Sequence, residues 1–405
     1  MEPRSVSGSG SKMRAGAPER TSVIAPKITS KITRIQSINR LFPLFRPVEF
    51  MAFIMPHLRK GVQMRIALRL DYGAAVFGCT ALVASLAVPA SALDLKPDSV
   101  DALNQVSDSL IEEKYDLLGQ AVNIDVSDIS ADDKILFQSE GSAVTVPSSP
   151  SGPVQISAEG GEYIEIYRPF GSGAEDAVGI SPGVVENYGE EFTTVTSIRG
   201  GSDVQMATII HNADSPEIYE YGLGLPEGAI AFRVRGGVLI EDLEGDLIGG
   251  FTPPWAVDAK GDPVPTSYEL DGSTLVQRID HADVEGIKYP VVADPAYSRG
   301  MIKEVKHERW ANGGWELRLT VTALARWYQP FNPRYVYSEG LKDLREYHPR
   351  SMAKDTMAQQ WDCHVTGLPG TINIDLESYR KSWPGWRSGI LGAVLSGNPA
   401  RACNW

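Results

Sequence analysis

From Val154 to Asp294 apolar and polar residues alternate with a period of two. Glu162 to Arg168 shows the pattern plainly: Ile164 and Ile166 face one way and Tyr163, Glu165 and Tyr167 the other, as a half-buried strand requires. Comparable segments follow at Phe192 to Arg199, Val204 to His211, Glu217 to Tyr221, Ala229 to Arg235, Val238 to Asp242 and Leu247 to Phe251. Short strands at this spacing, joined by glycine-rich turns, predict a mainly β domain built as an antiparallel sandwich or barrel. The clearest hairpin is SYELDGSTLVQRI, where Asp271-Gly272 supplies the positive backbone angle of a tight turn.

Either side of this region the periodicity changes. Val100, Leu103, Val106, Leu110 and Leu117 recur at near-helical spacing behind Asp98 and Asp101, which predicts one amphipathic helix ending near Gly119. Between Ala121 and Pro153 the chain is rich in Ser, Asp and Pro and reads as a linker. Beyond the β region, Trp315, Leu317, Leu319 and Val321 share one face of a strand, and Asn312-Gly313-Gly314 turns it back onto Ile302 to Trp310. Helices are expected at Glu339 to Tyr347 and Met352 to Trp361, each preceded by a serine able to cap it, and a short strand at Ile372 to Glu377. The last part is therefore a small α+β domain. The expected layout is a helix and linker over 93–152, a β-rich domain over 153–296 and the α+β domain over 301–405.

The N-terminal region reads as targeting sequence. Arg65 and Arg69 precede an apolar run from Tyr72 to Val88, followed by Ala90-Ser91-Ala92 and then acidic sequence. Basic flank, short apolar run and A-x-A site describe a secretory signal peptide over 64–92, cleaved after Ala92, which leaves no stable membrane span. Residues 1–63, rich in Ser, Arg and Lys, are expected to be a disordered or mis-assigned extension, since a start at Met64, Met51 or Met55 suits a leader better. The protein is thus expected outside the cytoplasm.

Charge divides the chain along the same lines. Residues 93–300 hold 11 basic and 37 acidic side chains, whereas residues 301–405 hold 14 and 10. The acidic middle argues against nucleic acid as a partner, because phosphate contacts supply most of that affinity. Two acidic groups invite a calcium reading. Asp125, Asp128, Asp132 and Asp133 lack a glycine where the loop would turn. Asp258, Asp262 and Glu269 have loop spacing but place Lys260 at a ligand position and Pro263 at the bend. No metal and no cofactor is expected.

Two stretches resemble known material. PWAVDAKGDPVPTSYELDG followed by YPVVADP is similar to a β-rich module of secreted actinobacterial proteins, over about residues 190–295. The strings QQWDCH, IDLESYR and ACNW resemble the signature of the secreted actinobacterial family called domain of unknown function 2599, over about residues 305–405. Gln359 or Gln360, Cys363, His364, Leu376, Glu377, Arg380, Cys403 and Asn404 match it, while Ile374 and Asp375 stand where Trp and Asn are expected. The resemblance implies secretion and carries no reaction with it.

In an exported chain Cys363 and Cys403 are expected to be oxidised to each other, which removes both from consideration as thiolate nucleophiles. Histidine then offers the acid–base chemistry nearest neutral pH, at His307, His348 and His364; a general acid and base could be assembled from His364 with Asp375 or Glu377. Seven of the eight tryptophans lie from Trp310 onwards, and Trp383-Pro384-Gly385-Trp386 offers an aromatic ligand shelf. Two functional classes fit: a non-catalytic exported module binding an envelope glycan or surface protein, and a secreted effector or hydrolase acting through its C-terminal domain.

Overall fold

The computed structural model describes residues 98–109, 116–124, 134–139, 142–158, 163–171, 173–368, 370, 372–396, 403 and 405. The expected extension, leader and cleavage site, and the cluster from Asp125 to Asp133, lie outside the described residues. Helix α1 is described over Ser99–Ser109, and residues 117–120, where the periodicity predicts its end, form a turn; Asp98 caps its start, its Oδ1 accepting from the backbone N–H of Val100 at 2.9 Å. Among the described residues seventeen strands follow before the C-terminal segment: β1 (Lys134–Ser139), β2 (Ser142–Pro147), β3 (Pro153–Ala158), β4 (Tyr163–Tyr167), β5 (Val178–Ser181), β6 (Val184–Asn187), β7 (Phe192–Ile198), β8 (Val204–Ile210), β9 (Ile218–Gly224), β10 (Ile230–Val234), β11 (Gly237–Glu241), β12 (Leu247–Phe251), β13 (Ala256–Val257), β14 (Thr266–Asp271), β15 (Thr274–Ile279), β16 (Val291–Ala293) and β17 (Ala296–Arg299).

All pairings are antiparallel. One sheet runs β1-β2-β3-β4-β9-β15-β14, the other β10-β11-β12-β17-β8-β7-β6-β5, with β16 beside β8 and β13 beside β16. The predicted hairpin is present: Asp271 pairs with Thr274 and Gly272 has φ +59°. Strands β1 and β2 fall in what the sequence presents as linker, and their register joins them to the sheet edge through β3.

The two sheets share one apolar core. Val144, Ile156, Ile166 and Tyr221 come from the first sheet, Val185, Met206, Ile210, Val238 and Val291 from the second. The opposite face of the second sheet is also covered. Val195, Ala207, Ile209 and Val292 pack there against Ala102, Leu103 and Val106 of α1. Both parities of β7 and β8 are therefore buried, and their alternate small and polar side chains carry partners inside the protein: Thr196 accepts from Arg168 at 3.1 Å and Ser197 donates to the Leu117 carbonyl at 2.9 Å. Asp258 is spent on backbone, accepting from the N–H of Lys260 and Asp262 in its own loop and of Lys288 in the connection before β16, at 2.8 to 3.0 Å.

The C-terminal segment comprises β18 (Ile302–Arg309), β19 (Trp315–Val321), α2 (Ala323–Tyr328), α3 (Pro333–Tyr347), α4 (Asp355–Asp362), β20 (Asn373–Glu377) and α5 (Trp386–Leu395), with β19 central in a three-stranded sheet. Helix α3 starts earlier than the sequence predicts because Asn332 caps it and Pro333 occupies its first turn; Ser338 lies inside the helix. Ser351 likewise belongs to a 3₁₀ turn (Ser351–Ala353), and α4 has no side-chain cap. The segment packs on the β10–β12 end of the second sheet. Leu239 of β11 joins Leu324, Val336, Leu341 and Trp361 in one core, and a Cβ on Gly250 of β12 would lie 3.2 Å from Leu324 Cδ1. Polar contacts follow the same seam: Tyr335 donates to Glu241 at 2.9 Å, and Lys342 bridges Asp246 and Glu339. Among the described residues no helix is long and apolar enough to cross a membrane.

Candidate functional site

The tail is closed by the disulfide expected between Cys363 and Cys403, with sulfurs 2.06 Å apart and Cα atoms 5.4 Å apart. Helix α4 runs into a wide π turn, Cys363–Gly367, which brings Cys363 against Trp386 and Cys403 in a small apolar cluster. The strings QQWDCH and IDLESYR meet here. Gln360 lies along β20, donating to the Glu377 carbonyl at 3.0 Å and accepting from its N–H at 2.9 Å. Gln359 accepts from the Trp383 N–H at 2.6 Å, and Asp362 pairs with Arg387 at 2.7 Å. Arg380 pairs with the Glu377 carboxylate and donates to the Trp405 carbonyl at 2.5 Å, tying the end of the chain to β20. The residues of these strings thus hold a helix, a strand and the chain end together.

His364 is buried, and neither ring nitrogen has a hydrogen-bond partner. Burial, with a smaller contribution from the nearby Arg380 charge, lowers its pKa to about 4, so the imidazole is neutral at physiological pH. A general base needs a proton within reach and a pKa near the working pH. The structure supplies neither at His364. Glu377 is engaged by Arg380 and by the Tyr379 hydroxyl at 2.9 Å. Asp375 points outward on β20, 3.9 Å from Arg318, its pKa raised by partial burial and by Glu316. No hydrogen bond joins His364 to either carboxylate.

Trp383 and Trp386 do not make a common shelf. Trp386 is core, 2 % exposed, beside the disulfide, with Arg387 over its ring at 4.3 Å. Trp383 is half-buried and packs edge-on against Trp405, ring centroids 5.4 Å apart.

A different group of side chains lines an open cavity of about 340 Å³ on the surface at the closed end of the β18–β19 hairpin. His307 and Arg309 share one face of β18, and Trp310 and Trp315 flank the Gly313-Gly314 turn. Arg350 and Ser351 complete the wall from the 3₁₀ turn between α3 and α4. The indoles are held from behind. Trp315 Nε1 donates to the Ser351 carbonyl at 3.3 Å and Lys354 sits 4.4 Å over its ring. Trp310 packs on Tyr379 at 5.5 Å, and a Cβ on Gly314 would lie 2.7 Å from its ring. His307 Nε2 is 3.4 Å from Ser351 Oγ, and its ring lies 6.1 Å from that of His348. Of this group the sequence marks out only His307 by its chemistry; the turn and the Trp315 face are legible, but no pattern links them to Arg350 and Ser351, which arrive some 40 residues later through the docking of α3.

The chain matches no protein-family model and no curated protein.

Proposed function

We propose that this is an exported, extracytoplasmic protein that acts by binding and not by catalysis. In this reading a leader ending at Ala92 directs export, and a β-sandwich carries an aromatic α+β end that engages a cell-envelope glycan or surface protein. The observation that carries it is the state of His364: buried, neutral and without a hydrogen bond, in a tail whose two thiols are joined. The disulfide suits an oxidising compartment. The likeness of QQWDCH, IDLESYR and ACNW to the secreted family of unknown function 2599 supports the same location. The roles of Gln360, Glu377 and Arg380 in holding the tail supply a reason for that signature that needs no reaction.

The test is sedimentation of the full secreted chain with purified cell-wall sacculi, with the supernatant assayed for released sugar and peptide fragments. The expected result is a protein with its N-terminus near Leu93 that pellets with the sacculi and releases nothing, and a His364→Leu variant that behaves identically. Fragment release that disappears in His364→Leu would establish the hydrolase alternative instead.

A further inference from the structure

We propose that the cavity at the closed end of the β18–β19 hairpin binds a sugar carrying a carboxylate or phosphate; this deepens the binding reading above and rests on it. Three independent features converge. Arg309 and Arg350 both line the cavity, and among the described residues neither has an ion-pair partner. Two guanidiniums lining one cavity without a carboxylate suit an anion, since the planar fork matches carboxylate and phosphate oxygens two at a time. Among the described residues no Asp or Glu lines the cavity. The nearest acid along β18, Glu308, alternates to the other face of the strand and pairs there with Arg318 at 3.0 Å.

The second feature is the aromatic wall. Trp310 and Trp315 are both half-buried and fixed by their packing on Tyr379, Lys354 and the Ser351 carbonyl. Indoles that are already immobile lose little freedom when a ligand stacks on them, and a flat apolar face suits the C–H face of a pyranose ring. The third is the presence of a hydroxyl and an imidazole beside the guanidiniums. The Ser351 hydroxyl and the His307 imidazole lie 3.4 Å apart, a long contact; Ser351 is largely buried, and the exposed His307 is the group placed to meet a ring hydroxyl. The volume, about 340 Å³, falls at the lower end of the range for small-molecule sites. An anion, an apolar C–H ring face and a ring of hydroxyls on one compact ligand are the features of an acidic sugar, which the cations, indoles and hydrogen-bonding groups here match together.

The experiment is isothermal titration of the secreted protein at neutral pH and low salt with two anionic probes, their neutral counterparts and, separately, inorganic phosphate. The pairs are a galacturonic acid trimer with its methyl ester, and mannose 6-phosphate with mannose. At least one anionic probe should bind saturably, its neutral counterpart binding about tenfold more weakly or worse, and Arg309→Gln or Arg350→Gln should each weaken it about tenfold. Both arginines are exposed, so these variants should keep the parent thermal transition. Trp310→Ala should weaken charged and neutral probes alike, whereas Trp383→Ala, outside the cavity, should leave binding unchanged. Which anionic probe binds identifies carboxylate or phosphate as the recognised group. The proposal is overturned if neither anionic probe binds, if the neutral sugars bind equally well, if inorganic phosphate binds as tightly as the sugar phosphate, or if Arg350→Gln has no effect. Sedimentation with sacculi that survives any of these results would leave the broader function standing while removing this site.

Discussion

Two titratable groups in the C-terminal segment, the buried His364 and the half-buried Asp343, have pKa values displaced in opposite directions, and their contributions to stability should nearly cancel in acid. His364 falls from 6.5 to about 4, through burial first and Arg380 second. Asp343 rises from 3.8 to about 6, again through burial, with Glu339 adding to the rise and the Met301 and Ile302 N–H groups and Arg299 opposing it. Its carboxylate accepts from Met301 N–H at 2.9 Å and so holds the β17–β18 connection against α3. As the pH falls below 6.5 the unfolded chain protonates His364 and the folded chain does not, so stability is lost, by about 3 kcal/mol on reaching pH 4. As the pH falls below 6 the folded chain protonates Asp343 before the unfolded chain does, so stability is gained, by about 2 kcal/mol over the same range. Removing either group should expose the other. Urea unfolding of the disulfide-intact protein from pH 7 to pH 4 should show His364→Leu gaining, and Asp343→Asn losing, stability relative to the parent. The two variants should diverge by about 5 kcal/mol across the range. Other carboxylates titrate in all three proteins and drop out of the difference. Parallel profiles for the three proteins would refute the reasoning, because they would mean that neither group titrates differently on folding.

Two further outcomes test the packing. Replacing both Cys363 and Cys403 by alanine frees a loop with a sequence separation of 40. It should lower stability by about 4 kcal/mol in chemical denaturation; a loss below about 1 kcal/mol would mean that the tail is held by other contacts. Gly340 lies within α3, where helix propensity alone favours alanine by about 1 kcal/mol. A Cβ there would come within 2.4 Å of Trp361 Cζ2, so Gly340→Ala should instead destabilise by about 1–3 kcal/mol, and a raised melting temperature would contradict the close contact.

Much of the local architecture is written in the chain. The period-two alternation of Glu162 to Arg168 and of Trp315 to Val321 places their strands almost to the residue, and Asp271-Gly272 and Asn312-Gly313-Gly314 place the turns, because each signal is carried by neighbours in sequence. The pairing of Cys363 with Cys403 is legible because no other cysteine follows Cys79 in the chain. What the sequence does not contain is the identity of the surface that each element meets. Strands β1 and β2 look like linker because Ser and Pro dilute their alternation, and they become strands by adding to an edge that β3 and β4 already present. Gly250 weakens the strand signal of β12, yet it lets Leu324 approach closely. The aspect of the Cys363-His364 pair that most invites a catalytic reading, an imidazole next to a thiol, is removed by burial and by the disulfide. The cavity of Arg309, Trp310, Trp315 and Arg350 exists only once α3 has docked on β10 to β12 and carried the following turn to the hairpin. Periodicity records which face of an element is apolar; which partner covers that face, and which side chains are thereby brought together, is decided by contacts between residues far apart in the chain.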